Sequence, residues 1–329
     1  MNNSKTVQKR KNFSKKPQIQ HREPLKIIPT TMTISGTKYY GNHTFSCGHS
    51  VPIYEVFSVH ALNQIIGYAK FINRSYGDVY YRGEAKLHPT LRPSVLRSIP
   101  NIPDISKLKE LISIISKDER MKHQLKFNSE DEVSTSNIIE GMLQHYGVKT
   151  RYIDIVDNHW IALWMGLNTV STNKQIQTYS RYIEREIPLV DFINGETCKE
   201  ENLFQYILLM AIPGHNKRIN NGIFFSNDFT RIDLRQALPS TFLRPHAQHG
   251  LVVCKRPHAG SAAEGYDLAD TIIGILKIRI DRVKEWIGEG KLLTQDNLFP
   301  PPSYDQGYDI LLSRSDIFDD NGFFITRYI

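Results

Sequence analysis

Cysteine is scarce in this sequence, and so are long apolar runs. The 329 residues include three cysteines, Cys47, Cys198 and Cys254, which lie far apart and form no Cys-x-x-Cys or Cys/His spacing. This scarcity argues against a disulfide framework or a structural zinc site and favours a reducing compartment. The best apolar runs, at 206–212 and 271–276, have the length of a strand and are too short to cross a bilayer. No leader pattern opens the sequence, so we expect a cytoplasmic protein that does not bind a membrane.

Excess charge is also absent from most of the chain. The net charge is +7, and residues 1–26 account for all of it with eight basic side chains and one acid. The other residues hold 33 basic and 33 acidic side chains, so they are neutral. We expect residues 1–26 to form a disordered basic tail. Such a tail could attract the phosphates of RNA or DNA, or it could serve only to keep the protein soluble.

Familiar catalytic motifs are missing as well. The sequence has no Gly-x-Gly-x-x-Gly, Walker A, Gly-x-Ser-x-Gly or His-Glu-x-x-His motif. No cluster of acids has the spacing of metal ligands, so we predict no metal site and find no support for nucleic-acid hydrolysis.

Hydrophobic periodicity predicts the arrangement of helices and strands. The predicted helices lie near 57–73, 104–125, 134–146, 157–167 and 281–289, and a further one lies within the polar stretch 170–202. The predicted strands lie near 78–84, 150–156, 204–212, 222–225, 251–254 and 271–280. Because the helices come largely first and the strands later, we predict a single α+β domain over residues 27–329, with helices around an antiparallel or mixed sheet.

The first group of candidate site residues is Tyr81-Arg82-Gly83-Glu84, at the end of a predicted strand. An arginine suits bidentate binding of a phosphate or carboxylate, and the glycine after it allows a ligand or another backbone to come close. An arginine on a sheet edge that pairs with a nearby acid would give the same pattern. The residues alone therefore leave both interpretations open.

The second group lies in GMLQHYGVKTRYID, residues 141–154, at a predicted helix-to-strand junction. Gln144 and His145 occupy the last helical turn, where the helix dipole favours a protonated histidine. Arg151 and Asp154 are three positions apart on the predicted strand, so its pleat should point them to opposite faces. Each could be structural, His145 as a helix-end cap and Asp154 as the partner of a buried arginine.

The third group is the polar run from Arg244 to Gly250, which enters a predicted strand. Arg244 and Gln248 could donate hydrogen bonds to an anionic or carbonyl group. A loop whose side chains satisfy the edge of the sheet would look the same.

Taken together, these groups resemble the FRG domain family. The resemblance consists of Tyr81-Arg82-Gly83, Leu91-Arg92-Pro93-Ser94 with Arg97, LQHYGVKTRYID at 143–154, the run from Arg244 to Gly250, and Leu298-Phe299-Pro300. It extends over about residues 55–312 in this order along the sequence. The opening motif is also similar, more distantly, to the strand of ADP-ribosyltransferases that carries their NAD-binding arginine. This second resemblance implies an ADP-ribosyltransferase-like fold with NAD as the substrate.

The resemblance also implies roles for particular residues. Arg82 would hold the pyrophosphate of NAD, Gln144 and His145 would contact the ribose or base, and Asp154 or Gln248 would lie at the reacting end. The remaining predicted NAD contacts are Tyr81, Gly83, Tyr146, Thr150, Arg151 and Arg244. Because Gln248 is neutral, the catalytic acid would have to be Asp154, Glu84 or Asp305; otherwise the site binds without reacting.

Two functions follow from the resemblance. The first is an NAD-dependent ADP-ribosyltransferase that acts as a toxin or anti-phage defence effector. Its acceptor could be a nucleic acid recruited by residues 1–26, and an antitoxin or other regulatory protein could be its partner. The second is a non-catalytic module that senses a nucleotide or a phage component and acts through a partner protein.

Overall fold

We describe a computed structural model of the chain over residues 23–97, 102–125, 131–172, 179–187, 202–214, 217–220, 222–256 and 263–328. Residues 1–22 of the predicted basic tail lie outside this description. Within it, Lys26 is held by Asn73, whose Oδ1 accepts from the Lys26 backbone N–H at 3.0 Å and whose Nδ2 donates to the Lys26 carbonyl at 2.9 Å. Lys26, the last residue of the predicted tail, is therefore bonded to Asn73 in the folded structure.

The strands are β1 (Thr37–Thr44), β2 (Ser50–Val56), β3 (Gly77–Glu84), β4 (Ile153–Val156), β5 (Asn168–Thr172), β6 (Tyr179–Glu184), β7 (Phe204–Pro213), β8 (Lys217–Asn220), β9 (Ile223–Phe225), β10 (Phe229–Asp233), β11 (Gly250–Lys255), β12 (Ile272–Arg279) and β13 (Arg327–Tyr328). The helices are α1 (Val59–Asn73), α2 (Ile102–Lys117), α3 (Glu119–Leu125), α4 (Glu132–His145), α5 (His159–Leu167), α6 (Leu234–Ala237), α7 (Leu243–Ala247), α8 (Ile280–Trp286), α9 (Gln295–Leu298), α10 (Gln306–Ser313) and α11 (Ser315–Asp320). Short 3-10 helices lie at Ser94–Leu96, Ala263–Tyr266 and Ala269–Thr271.

The described strands form a ten-stranded sheet and a three-stranded sheet. The order in the large sheet is β1-β2-β12-β7-β3-β4-β11-β10-β9-β8, and the order in the small sheet is β13-β6-β5. In the large sheet β2 and β12 are parallel and the other neighbours are antiparallel. The α+β class and the mixed sheet predicted from the sequence are therefore confirmed.

The large sheet is nearly split at its centre, between β3 and β4. Eight registered pairs join β3 to β7, and four join β4 to β11. Between β3 and β4 there is one registered pair, Tyr81 with Val156. Beyond this pair no other described residues of β3 and β4 are in register, so the two strands separate there.

Alternation along the strands divides the core between the two faces of the large sheet. On one face Val79 and Tyr81 belong to a hydrophobic cluster with α1 and α5, whereas Tyr80 belongs to a cluster on the other face. Farther along the sheet, Val252 packs in a further cluster with α2 and α4. The two helix-covered clusters thus lie on either side of the place where β3 and β4 separate.

Several boundaries differ from the periodicity prediction for local reasons. The predicted strand 150–156 begins at Ile153, because Thr150 Oγ1 accepts from the Tyr152 N–H at 3.1 Å and turns the chain there. The cap of α5 is Asn158, which accepts from the Trp160 N–H, and not Asp157. The described parts of the stretch 170–202 are β5 and β6; the rest of the predicted helix there lies outside the described residues.

Candidate functional site

A pocket of about 300 Å³ lies where β3 and β4 separate. It is lined by residues from elements that are distant in the sequence: Tyr81, Arg82 and Gly83 of β3, Gln144, His145 and Gly147 of α4 and its end, Asp154, Ile155 and Val156 of β4, Ala162 and Met165 of α5, Asn168 and Val170 of β5, Tyr182 of β6, Gln248, Phe299, and Tyr328 of β13. The pocket thus lies between the two helix-covered clusters. The gap between β3 and β4 is a space that the side chains of these clusters do not fill.

Asp154 is held in the pocket by the last turn of α4. Gln144 donates from Nε2 to Asp154 Oδ2 at 2.6 Å, and Nδ1 of His145 lies 3.3 Å from Oδ1. Burial opposes ionisation of Asp154, but the hydrogen bonds from His145 and Gln144 and the charge of Arg82 outweigh it and lower its pKa. The Asp154 side chain is 37% exposed whereas that of His145 is 4% exposed. The carboxylate is therefore ionised at neutral pH and faces the pocket, with His145 behind it.

A chain of hydrogen bonds orients Gln144 from behind. Thr150 donates from Oγ1 to Gln144 Oε1 at 2.7 Å, and the Thr150 N–H donates to Ser94 Oγ at 3.1 Å. With its carbonyl oxygen occupied by Thr150, the Gln144 amide must present its NH₂ group to Asp154. Thr150 is fully buried and does not line the pocket, so its position suits it to support Gln144 rather than to touch a ligand.

Arg82 bridges the gap between the separating strands. Its Nε donates to Glu84 Oε1 at 2.6 Å and its Nη1 donates to the Asp154 carbonyl at 2.8 Å. Burial opposes its charge, but Glu84 and Asp154 raise the pKa of Arg82 above its usual value. The side chain is 21% exposed, which leaves an edge of the guanidinium open to an anion. Because Glu84 forms an ion pair with Arg82, it is a less suitable catalytic acid.

Two glycines permit the close packing that builds the site. A Cβ on Gly83 would lie 1.8 Å from the Ala162 carbonyl oxygen, so α5 could not lie against β3 with any other residue there. A Cβ on Gly250 would lie 2.5 Å from Cε1 of His145. Gly83 was predicted to let a ligand or another backbone come close. The backbone of α5 comes close to it, and Gly83 also lines the pocket.

Besides Thr150 and Glu84, four of the predicted residues lie outside the pocket lining. Tyr146 is fully buried and donates to Asp305 Oδ2 at 2.8 Å. Asp305 is itself fully buried and accepts from the Tyr308 N–H at the start of α10, so it is a helix cap and not a pocket acid. Arg151 pairs with the buried Glu140, and Arg244 is buried behind the pocket.

Strand alternation was predicted to separate Arg151 from Asp154; the premise is wrong, although Asp154 does line the pocket and Arg151 does not. The prediction assumed that both belong to a strand, but β4 begins at Ile153. Both side chains in fact contact α4, Arg151 at Glu140 and Asp154 at Gln144, one helical turn apart. Arg151 nevertheless does not reach the pocket, because its guanidinium is occupied by Glu140.

Gln248 lines the pocket, but its amide is engaged. Its Nε2 donates to the Leu298 carbonyl at 2.7 Å, and the residue is 5% exposed. It is the C-terminal cap of α7 and lies two residues before β11 begins, in the polar run that was predicted to enter a strand. Of the three candidate acids, Asp154 lines the pocket, whereas Glu84 pairs with Arg82 and Asp305 caps α10.

Sequence reasoning assigned no role to three rings that line the pocket. Tyr182, Phe299 and Tyr328, which we call the aromatic wall, have ring centroids 4.5 Å apart for both Tyr182–Phe299 and Phe299–Tyr328, and Tyr182 and Tyr328 stack at 5.6 Å. They come from β6, the end of α9 and β13. No spacing in the sequence links these segments, and only the Leu298-Phe299-Pro300 motif pointed to one of them.

In the part of the chain that the structure describes, no group of three or more His, Cys, Asp or Glu side chains is placed to hold a metal ion. Among the same residues, no helix combines the length and the apolar character needed to span a bilayer.

Comparison with known proteins gives a family match that overlaps the segments of this pocket. The FRG domain family matches residues 77–175, a narrower range than the 55–312 expected from the motifs. The matched range includes Arg82, Gln144, His145 and Asp154, but it ends before Tyr182 and Gln248. No curated protein and no solved structure is significantly similar to the chain, so the distant resemblance to ADP-ribosyltransferases stays a prediction. Residues 77–175 are therefore similar to the FRG domain family, and this matched range holds the charged residues of the pocket lining, Arg82, His145 and Asp154.

Proposed function

We propose that this protein is an NAD-dependent ADP-ribosyltransferase with a fold of that type, acting as a toxin or defence effector. One observation carries the proposal: the ionised Asp154, held by Gln144 and His145, faces a pocket that also presents Arg82 and an aromatic wall. An anion, a cation and stacked rings are the groups needed to bind a molecule that combines a positively charged base, a sugar and a pyrophosphate.

The chemistry assigned to Asp154 is electrostatic. When the bond between ribose C1′ and the nicotinamide nitrogen breaks, both electrons leave with nicotinamide and positive charge develops on the ribose. A fixed carboxylate beside C1′ stabilises that charge without having to reorganise. An O–H or N–H group of the acceptor then bonds to C1′, and its proton passes to Asp154 or to water.

The pocket size limits how NAD could bind. About 300 Å³ is at the small end of ligand pockets, so it suits one base with its ribose rather than the whole dinucleotide. Arg82, at the side of the pocket where β3 and β4 part, would contact the pyrophosphate through the edge that Glu84 and the Asp154 carbonyl leave open.

The acceptor and partners belong to the same proposal. Residues 1–26 carry a net charge of +7 and would attract RNA or DNA as an acceptor, in a manner that weakens with salt. Because consumption of NAD would harm the producing cell, we also propose that an antitoxin or other regulatory protein restrains the activity.

A second function is favoured by Gln248 and Arg82. Gln248 is neutral with its amide bonded to a backbone carbonyl, and Arg82 already has two protein partners. A site built in this way could bind a nucleotide without reacting. The protein would then be a sensor that signals through a partner protein.

Labelled NAD distinguishes the two functions. Purified wild type, incubated with NAD and with RNA, DNA or cell lysate as acceptor, should release nicotinamide and transfer label. Asp154→Asn keeps the shape of the side chain but removes its charge, and we expect a loss of turnover of about 100-fold or more. Arg82→Ala should weaken NAD binding and turnover together.

Asp157→Asn is the matched control, because Asp157 pairs with Arg235 and lies outside the pocket lining. It should retain wild-type turnover. Binding of NAD without turnover by folded wild type would support the sensor. If the wild type neither binds nor consumes NAD, both functions are wrong for this ligand.

A further inference from the structure

Arg244 is a buried cation, and none of the acidic side chains that the structure describes forms an ion pair with it. Its side chain is fully buried, and its Nε and Nη2 have no hydrogen-bond partner among the described residues. Its Nη1 makes one long contact, 3.4 Å from the His145 carbonyl. Asp305, which could have neutralised it, instead accepts from the Arg244 backbone N–H at 3.0 Å and from Tyr146. Burial of a guanidinium with so few hydrogen bonds is costly, so other contacts must offset it.

Aromatic rings supply those contacts. The guanidinium carbon lies 4.4 Å from the ring centroids of Tyr146 and Tyr308, 4.9 Å from Tyr328 and 5.4 Å from Phe299. These distances are within the range of cation–π attraction, which strengthens when water is excluded. Arg244 therefore holds the rings around it at fixed positions.

Two of the four rings belong to the aromatic wall. Phe299 and Tyr328 line the pocket and also contact Arg244, so the guanidinium lies behind the wall as seen from the pocket. The same guanidinium contacts the His145 carbonyl, and His145 orients Asp154. Because Arg244 is fully buried behind the aromatic wall, its positive charge acts on the pocket with less screening than an exposed charge would have.

We propose that Arg244 is a positioning residue that fixes the aromatic wall and, through its charge, makes the pocket prefer anionic ligands such as nucleoside diphosphates to neutral nucleosides. This inference rests on the proposed function, since it assumes that the pocket binds nucleotides. It assigns Arg244 an action through the wall and not the direct contact with NAD that the sequence suggested.

The test compares two ligands with the same base and sugar but different charge, ADP and adenosine, by calorimetric titration. Arg244→Met removes the charge and keeps an unbranched side chain. It should bind ADP about ten-fold more weakly than wild type and adenosine within about two-fold. Arg244→Lys, which keeps the charge, should recover most of the preference for ADP. Arg181→Met, an exposed arginine beside Tyr182, is the matched control and should bind both ligands like wild type.

Equal losses for ADP and adenosine in a folded Arg244→Met variant would show that Arg244 only supports the wall, and unchanged binding would show that it does neither. Both results overturn the proposal. A wild type that binds neither ligand would instead refute the proposed nucleotide site, and the inference with it.

A second variant covers the case in which Arg244→Met does not fold. Arg82→Gln removes the pocket arginine and leaves Arg244 intact. At about 0.5 M NaCl, which screens exposed charges such as Arg97, this variant should still bind ADP about ten-fold more tightly than adenosine. Loss of that residual preference would overturn the proposal without any change at Arg244.

Discussion

His159 and Asp154 lie on either side of the Tyr81–Val156 pair, and their surroundings act on them differently. Asp154 is ionised because hydrogen bonds and a nearby arginine outweigh its burial. His159 begins α5, contacts the ring of Tyr81 at 5.8 Å, and has no partner for Nε2 among the described residues. Burial, and after it the charge of Lys70, lower the pKa of His159 to about 4. One titratable group near the site is thus charged at neutral pH and the other is not.

The pKa of His159 predicts a loss of stability in acid. The folded chain keeps His159 neutral down to pH of about 4, whereas the unfolded chain binds a proton below its ordinary value of 6.5. The unfolded state therefore gains protons over this window, and stability should fall as pH decreases from 6.5 to 4. Thermal melts of His159→Asn should show a shallower fall than wild type over the same window.

His60→Asn, at an exposed position on α1, controls for the loss of a histidine elsewhere. If the melting temperatures of wild type and His159→Asn fall equally between pH 6.5 and 4, the prediction is wrong.

At the scale of elements, the close approach of α5 to β3 brings the walls of the pocket together. Ala162 and Met165 of α5 line the pocket beside Arg82 and Gly83. If α5 lay farther from β3, the pocket would lose this wall. The contact depends on Gly83, where any Cβ would overlap the Ala162 carbonyl. Backbone atoms cannot move aside as the end of a flexible side chain can, so the strand–helix distance is set by this one position.

Gly83→Ala should therefore destabilise the fold by about 3 kcal/mol and reduce ligand binding by displacing α5. The control is the same substitution at Gly67, an exposed position in α1 where an added Cβ meets nothing within 4 Å. Gly67→Ala should stabilise the protein by about 1 kcal/mol, since alanine favours a helix more than glycine does. Denaturant unfolding of both variants should give changes of opposite sign in the free energy of unfolding. A Gly83→Ala variant as stable as wild type would show that the contact of Gly83 with Ala162 does not set the strand–helix distance.

At the scale of the molecule, the helix-covered cluster beside the pocket contains tyrosines whose phenol groups are kept from ionising. Tyr146 and Tyr152 are fully buried in the cluster with α2 and α4. Burial, and the nearby acid Asp305, raise the pKa of Tyr146 well above 10.0. Burial likewise raises the pKa of Tyr152, with Cys254 and Glu140 adding to the effect. The integrity of this cluster, and of the pocket wall it supports, therefore depends on both phenols keeping their protons.

Alkaline unfolding should follow from these two tyrosines. The folded chain holds both protons above pH 10.0, the ordinary value, whereas the unfolded chain releases them there, so stability should fall as pH rises through that value. The tyrosinate absorbance that these two buried residues contribute should then appear in the same transition as the loss of the far-ultraviolet circular dichroism signal. Replacing both residues with phenylalanine should move the transition to higher pH. Early ionisation of all tyrosines without loss of structure would contradict this expectation.

The sequence by itself determined the α+β class, the main helices and strands, the similarity to the FRG domain family and the charged residues that line the pocket. These features depend on local signals: periodicity within an element, and motifs whose residues lie close together in the chain. Arg82 and the segment from Gln144 to Asp154 were found in this way.

Only the tertiary structure decided how those residues are divided between the pocket and its support. The separation of β3 from β4, the aromatic wall of Tyr182, Phe299 and Tyr328, and the cage around Arg244 all join segments that no spacing connects. Asp305 and Arg151 became structural residues for the same reason, because Tyr146 and Glu140 reach them before the pocket does. Strand pairing and ring packing depend on contacts between distant parts of the chain, and a reading of local pattern cannot include them.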